Sequence, residues 1–125
     1  MKISQPIFTQ SGTVGAVDLL GGTAVTKSPT TGLVTQCTSG PCDGILTADA
    51  KAGMPCNFYV DGSFGAALLG STAVTDVTIP LKVSTAGILI PCTSNNDFFV
   101  AFAKQTAANA GTLYEIRLAF GYYGV

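Results

Sequence analysis

The stretch Gly32-Leu33-Val34-Thr35-Gln36-Cys37-Thr38-Ser39 recurs 55 positions later as Gly87-Ile88-Leu89-Ile90-Pro91-Cys92-Thr93-Ser94. Both copies keep the glycine, cysteine, threonine and serine, and their apolar positions stay apolar. The similarity extends on both sides, which gives an internal quasi-repeat over 24–60 and 79–118. Because two copies are too few for a solenoid, we expect one β unit used twice in a single small barrel or sandwich.

Short apolar segments separated by glycine, proline and asparagine turns fill the rest of the chain. This pattern predicts an all-β fold, a small β-barrel or β-sandwich built from two similar halves, within a single domain over 13–125. The first strand is expected over 14–20. Because Asp-Gly favours a tight hairpin turn, the segment 56–60 is expected to pair with 64–69 across Asp61-Gly62.

The first residues, 1–12, predict an extended N-terminal arm, because an early proline blocks a helix and favours an extended path. Apolar side chains within the arm favour docking on a neighbouring molecule over fraying. Two consecutive tyrosines near the C-terminus also suit an interface, although burial in the core would fit them equally well. The candidate interface residues are Ile3, Pro6, Ile7, Phe8, Tyr122 and Tyr123.

The composition excludes several functional classes. Charged residues make up 10% of the 125 residues, against about 25% in an average soluble domain. Protein interfaces are depleted in charge, so we expect neighbours to cover much of this surface; a small β domain covered with threonine, serine and glycine is the alternative. Six scattered basic residues and a net charge of −1 argue against nucleic-acid binding. The apolar runs are too short to span a membrane, and the N-terminus does not resemble a signal peptide, so synthesis in a cytoplasm is expected.

The sequence offers no assembled catalytic chemistry. It has no histidine to act as a base, to partner a cysteine nucleophile or to complete a structural zinc site. Most of the aspartates lie in turns, where capping explains them, and no pair is predicted to face another as glycoside hydrolysis requires. We therefore expect neither enzyme activity nor a cofactor or metal. Buried thiols are the favoured interpretation of the cysteines, and a Cys37–Cys42 disulfide across a tight turn stays open as the alternative. The cysteines are Cys37, Cys42, Cys56 and Cys92.

The segment Gly44-Ile45-Leu46-Thr47-Ala48-Asp49-Ala50-Lys51-Ala52-Gly53 resembles a motif of the small decoration, or cement, proteins of tailed-phage heads. Over about residues 12–120 the chain is similar to them in length, composition and order of segments, although Lys104 replaces the acidic residue in the second copy. The resemblance implies a compact β fold, often trimeric, on the outer surface of the capsid in the virion, made in the host cytoplasm. It implies that the protein stabilises the capsid by bridging neighbouring major capsid protein subunits.

A carbohydrate- or receptor-binding β module of a head fibre or spike is the alternative function. Such a module needs an exposed aromatic ring beside polar groups, and Ser94-Asn95-Asn96-Asp97 together with Tyr122 is the best candidate in the sequence.

Overall fold

The computed structural model describes residues 6–70, 72–107 and 112–124. Within these residues the chain forms strands joined by turns, with one short 3-10 turn over Thr85–Gly87, which confirms the predicted all-β class. The strands are β1 Thr9–Val14, β2 Ala24–Lys27, β3 Leu33–Gln36, β4 Gly44–Leu46, β5 Pro55–Tyr59, β6 Phe64–Leu68, β7 Leu81–Val83, β8 Leu89–Pro91, β9 Phe98–Ala103 and β10 Leu113–Tyr122. No helix in these ranges is long and apolar enough to span a membrane.

The first half of the chain is a closed barrel in the order β1-β3-β2-β4-β5. Strand β1 closes it, because β1 pairs parallel with β3 on one side and antiparallel with β5 on the other. Side chains alternate across each strand, so every second residue points into the barrel. The buried interior consists of Val14, Leu19, Val25, Val34, Leu46, Cys56 and Phe58.

The second half is a sheet in the order β6-β10-β9-β7-β8, which is the cyclic order of the barrel repeated. Even its isolated bridges have counterparts in the first half. The parallel bridge between Leu69 and Leu89 matches the barrel pair Val14 and Val34, each shifted by 55 positions. The second half is therefore the same unit, with its β6–β8 seam joined by a single bridge within the described residues.

The offset between the halves varies along the chain and is largest in the last two strands of each half. The strand registers match Val25 to Leu81, an offset of 56 positions. They match Phe58 to Ile116, an offset of 58 positions. Strands β3 and β8 differ by 55 positions. The residues gained and lost fall in the turns between strands, where they do not disturb the pairing. An alignment of the two halves without gaps, at an offset of 55, therefore matches β3 with β8 but not the last strand of each half.

The two halves share apolar packing. Ala24 and Ile45, opposite each other on the outside of the barrel, are fully buried and belong to the core of the second half. Next to them Gly44 lies so close to the Tyr59 backbone that an added Cβ would collide with it. The missing side chain lets β4 approach β5 closely and presents Ile45 to the second half.

Two predicted strand assignments are wrong. The first strand covers Thr9–Val14 instead of 14–20, so it begins inside the segment predicted as an arm. The hairpin across Asp61-Gly62 does not form, because β5 pairs with β1 and β4 while β6 pairs with β10. Asp61-Gly62 is instead the link between the halves: the Gly62 N–H donates to Leu118 O at 2.9 Å, and Gly62 adopts a φ of +87°.

Candidate functional site

The described part of the N-terminal segment is fastened to the link between the halves. Pro6 O accepts the Phe64 N–H at 3.0 Å, and Phe8 O accepts the Val60 N–H at 3.2 Å. These bonds fix the backbone, yet the side chains point outward: Ile7 is 65% exposed and Phe8 is 53% exposed. The segment therefore presents two large apolar side chains from an ordered backbone. The predicted candidate Ile3 lies outside the described residues.

Ser63 anchors this segment and was not singled out from the sequence. It is fully buried, its Oγ accepts the Phe8 N–H at 2.9 Å, and its hydroxyl donates to Phe64 O at 2.8 Å. A serine after Asp-Gly looks like ordinary turn chemistry, and its partner lies 55 positions away. The sequence therefore carries no local signal of this role.

The two tyrosines occupy different environments at the end of β10. Tyr122 is 69% exposed, and its ring packs edge-on against Phe98 at a centroid distance of 5.3 Å. Tyr123 is half-buried, and its backbone exchanges hydrogen bonds of 2.8 Å with Asn96 and Asp97. The exposed ring of Tyr122 suits an interface, whereas Tyr123 fastens the strand end to the loop before β9.

The N-terminal segment and Tyr122 are connected through β10. Leu118 N–H donates to Ser63 O at 2.8 Å, and Phe120 N–H donates to the Asp61 carboxylate at 3.2 Å. Tyr122 follows two residues later on the same strand. The link and the end of β10 thus form one continuous edge of the molecule.

A groove of about 400 Å³ lies beside Tyr122. Its lining includes an ion pair in which Lys82 Nζ donates to Asp97 Oδ2 at 3.0 Å. The same oxygen accepts the N–H groups of Ser94 and Thr93 at 3.0 and 3.1 Å. These bonds, with that from Ser94 first, hold the pKa of Asp97 below its usual value. This oxygen of Asp97 is therefore committed to holding its own loop.

The cysteines are buried free thiols in the structure. Cys37 Sγ donates to Ser39 O at 3.3 Å. Burial raises the pKa of Cys42 to about 12 and that of Cys92 to about 11. Thiolates, the reactive form, are therefore scarce at neutral pH. Across the described ranges, no cluster of three or more histidine, cysteine, aspartate or glutamate side chains could hold a metal ion.

Further apolar side chains are exposed on the barrel and were not singled out from the sequence. Leu33 is 40% exposed and Met54 is 56% exposed. They flank Thr13, which pairs with Leu33 on β3 and with Pro55 on β5. A pattern of alternating residues predicts which side chains point outward, but it does not indicate which outward faces stay uncovered.

Comparison with solved structures shows that the fold occurs in a phage protein. No family model matches the chain, and no curated protein matches it. The structure is similar to the crystal structure of the head fibre gp8.5 N base of bacteriophage phi29, with a TM-score of 0.71 and 10% sequence identity. The match covers 96% of this chain and 100% of that chain, so the two share a fold over nearly their whole described length.

Proposed function

We propose that this chain is a structural protein of a tailed-phage head, bound to the outer surface of the capsid in the virion. The observation that carries the proposal is the fold likeness to a phage head fibre base over 96% of the chain. The resemblance of the segment around Gly44–Gly53 to head decoration proteins points the same way. A charged content of 10% suits a protein whose binding must persist when salt screens charges.

In this proposal the contact with the major capsid protein is apolar and begins at the N-terminal segment. Ile7 and Phe8 stand exposed on a backbone held by Ser63 and Phe64, so little conformational entropy is lost when they dock. Full burial of one such side chain is worth about 1.5–3 kcal/mol. Repetition over many sites turns a modest contact into stabilisation of the whole shell, because each copy bridges neighbouring capsid subunits.

The test is binding to purified heads that lack this chain. The double variant Ile7→Ser with Phe8→Ser removes both apolar side chains and leaves the backbone hydrogen bonds in place. We expect its affinity for heads to fall at least tenfold, equivalent to about 1.4 kcal/mol, with unchanged thermal unfolding. Leu20→Ser is the matched control, because Leu20 is 60% exposed but lies outside the segment. Equal occupancy of heads by the double variant and the control would overturn the proposed contact.

The second candidate function is that of a base that attaches a fibre to the phage head. It is favoured because the similar phi29 structure is a head fibre base. The two functions differ in stoichiometry: a cement protein occupies most equivalent sites of the shell, whereas a fibre base occupies a subset. Quantitative mass spectrometry of purified particles, with the major capsid protein as the internal standard, separates them.

A carbohydrate-binding role would use the groove beside Tyr122, and binding on a glycan array that is lost in Tyr122→Ala would establish it. The proposal assigns this chain no catalytic step and no cofactor. Its partners are the major capsid protein and further copies of the chain, as the trimer implied by the resemblance requires.

A further inference from the structure

A row of three side chains crosses the outer face of the second half on neighbouring strands. Arg117 of β10 is the direct strand partner of Phe64 on β6 and of Phe102 on β9. Side chains that lie opposite one another on neighbouring strands project to the same face of a sheet. Arg117 is exposed and both phenylalanines are half-buried. The row, which we call the Arg117 row, therefore places one cation between two aromatic rings on an accessible face.

The guanidinium of Arg117 has no oxygen partner among the residues that the structure describes. It lies 5.4 Å from the ring centroid of Phe102, a stacked arrangement that aromatic faces favour. The four other basic side chains that the structure describes each lie beside an oxygen, of Ser11 O, Asp18, Asp97 or Glu115 in chain order: Lys27, Lys51, Lys82 and Lys104. The N–H donors of Arg117 are therefore available to a group outside the described chain.

The carboxylate that follows Arg117 along the same face is already neutralised. Glu115 lies two residues earlier on β10, and its Oε2 is 3.6 Å from Lys104 Nζ. Lys104 Nζ is also 4.9 Å from the ring centroid of Phe64. Glu115, Lys104 and Arg117 together carry one net positive charge, on a chain whose net charge is −1. One unpaired cation suits a single carboxylate, whereas a polyanion requires several such groups.

The corresponding row of the first half is covered inside the chain. It consists of Thr9, Tyr59 and Ile45, which are likewise partners on three neighbouring strands. Ile45 is fully buried, and both Ile45 and Tyr59 pack in the core of the second half. The covered row is neutral, whereas the second half carries Arg117 at the place of Tyr59. A purely apolar partner on that row would leave the guanidinium buried without a counter-charge, which is costly.

We propose that the Arg117 row is a docking surface for a carboxylate side chain of the major capsid protein. The inference rests on the proposed function and assigns a chemistry to the partner's surface. A guanidinium binds a carboxylate through two parallel N–H···O bonds. The flanking rings of Phe64 and Phe102 exclude water from this pair once the partner covers them, and arginine and aromatic residues are enriched at such anchor points.

The Arg117 row is continuous with the N-terminal segment. The Phe64 N–H donates to Pro6 O at 3.0 Å, so the row begins beside the exposed side chains of Ile7 and Phe8. One partner surface can therefore cover the apolar segment and the row together. In this contact the segment supplies apolar area, and Arg117 selects a partner site that carries a carboxylate.

The test compares the binding of variants to purified heads that lack this chain. Arg117→Met removes the charge and keeps an apolar side chain beside Phe102. Arg117→Glu repels a carboxylate, and Arg117→Lys keeps the charge without the planar fork. The matched control is Lys51→Met, which removes the same charge from a side chain that is 85% exposed and lies outside the row. Thermal unfolding checks that each variant folds.

We expect Lys51→Met to bind heads as the wild type does. Arg117→Met should bind at least about tenfold more weakly, Arg117→Glu more weakly still, and Arg117→Lys should recover part of the loss. Equal affinities for the wild type, Arg117→Met and Arg117→Glu would overturn this inference and leave capsid binding through the N-terminal segment intact. A wild type that does not bind heads would overturn both proposals.

A second arm tests whether the partner group is a carboxylate. Heads are treated with a water-soluble carbodiimide and ethanolamine, which converts surface carboxylates to neutral amides, at a level where Arg117→Met still binds. On these heads the advantage of the wild type over Arg117→Met should disappear. An advantage that persists after amidation would overturn the carboxylate as the partner group. Electron microscopy of the treated heads confirms that the shells remain intact.

Discussion

Replacing Phe58 with alanine empties the centre of the barrel. Phe58 is fully buried, and among the residues that the structure describes it is the bulkiest side chain to be so. It packs with Val14, Val34 and Leu46 in a cluster whose members all come from the first half of the chain. The surrounding strands form a closed barrel, which limits how far they can collapse into the vacated space.

Truncations of this kind cost about 3–5 kcal/mol, because transfer energy is lost and a cavity remains. The total stability of a domain is about 5–15 kcal/mol, so a large part of it would disappear. At about 4 °C for each kcal/mol, the melting temperature should fall by about 12–20 °C. Since Ala24 and Ile45 of the barrel belong to the core of the second half, we expect both halves to melt together in one transition.

The assay is urea and thermal unfolding followed by circular dichroism and by tyrosine fluorescence. Phe8→Ala is the matched control, because it removes the same side chain from a position that is 53% exposed. It should change stability by less than about 1 kcal/mol. A loss below about 1.5 kcal/mol for Phe58→Ala, or two separate transitions, would refute the reasoning about the barrel core and the shared packing.

Two further predictions concern titratable groups. The pKa of Asp97 is lowered in the fold, so its stabilising contribution is present above the unfolded value of about 3.9 and is lost as the pH falls through the lowered folded value. Asp97→Asn should therefore have a lower urea midpoint than the wild type at pH 7, and the gap should close in acid; a gap that does not change with pH would contradict this. Because burial raises the pKa of Cys42 to about 12, native protein at neutral pH should react slowly with a thiol reagent, and intact mass should show four modified cysteines after denaturation. Rapid labelling of Cys42, or a disulfide in the native mass, would count against buried free thiols.

The sequence predicted the all-β class because its apolar segments are short and its turn residues are regular. It also exposed the duplication where the offset is constant, at β3 and β8. It located the remaining strands less well, because residues added in the turns raise the offset from 55 at Leu89 to 58 at Ile116. Turns on the surface tolerate changes in length. The pairing of strands in the structure therefore shows the duplication more clearly than an alignment of the sequence does.

The Asp61-Gly62 hairpin failed for a topological reason. An Asp-Gly pair reports a tight turn, but it does not determine which strands the turn joins. Both edges of β5 are used inside the barrel, by β1 and by β4. No edge remains for β6, which pairs with β10 instead. Long-range closure of the barrel thus overrides a local hairpin signal.

The candidate interface residues could be predicted only in part from the sequence. Ile7 and Phe8 were predicted as interface residues because they are apolar side chains in a polar segment. Both are exposed in the structure. The exposed side chains of Leu33 and Met54 on the barrel could not be found in this way, because alternation along a strand does not indicate which outward-facing side chains stay uncovered.

The most direct test of the central claim is to purify virions from the native source and determine where this chain sediments and how many copies each particle holds. The proposal predicts that the chain travels with the heads, in a fixed ratio to the major capsid protein, and that surface labelling of intact particles reaches it. Recovery of the chain as a small free species, with none on the heads, would contradict the proposal.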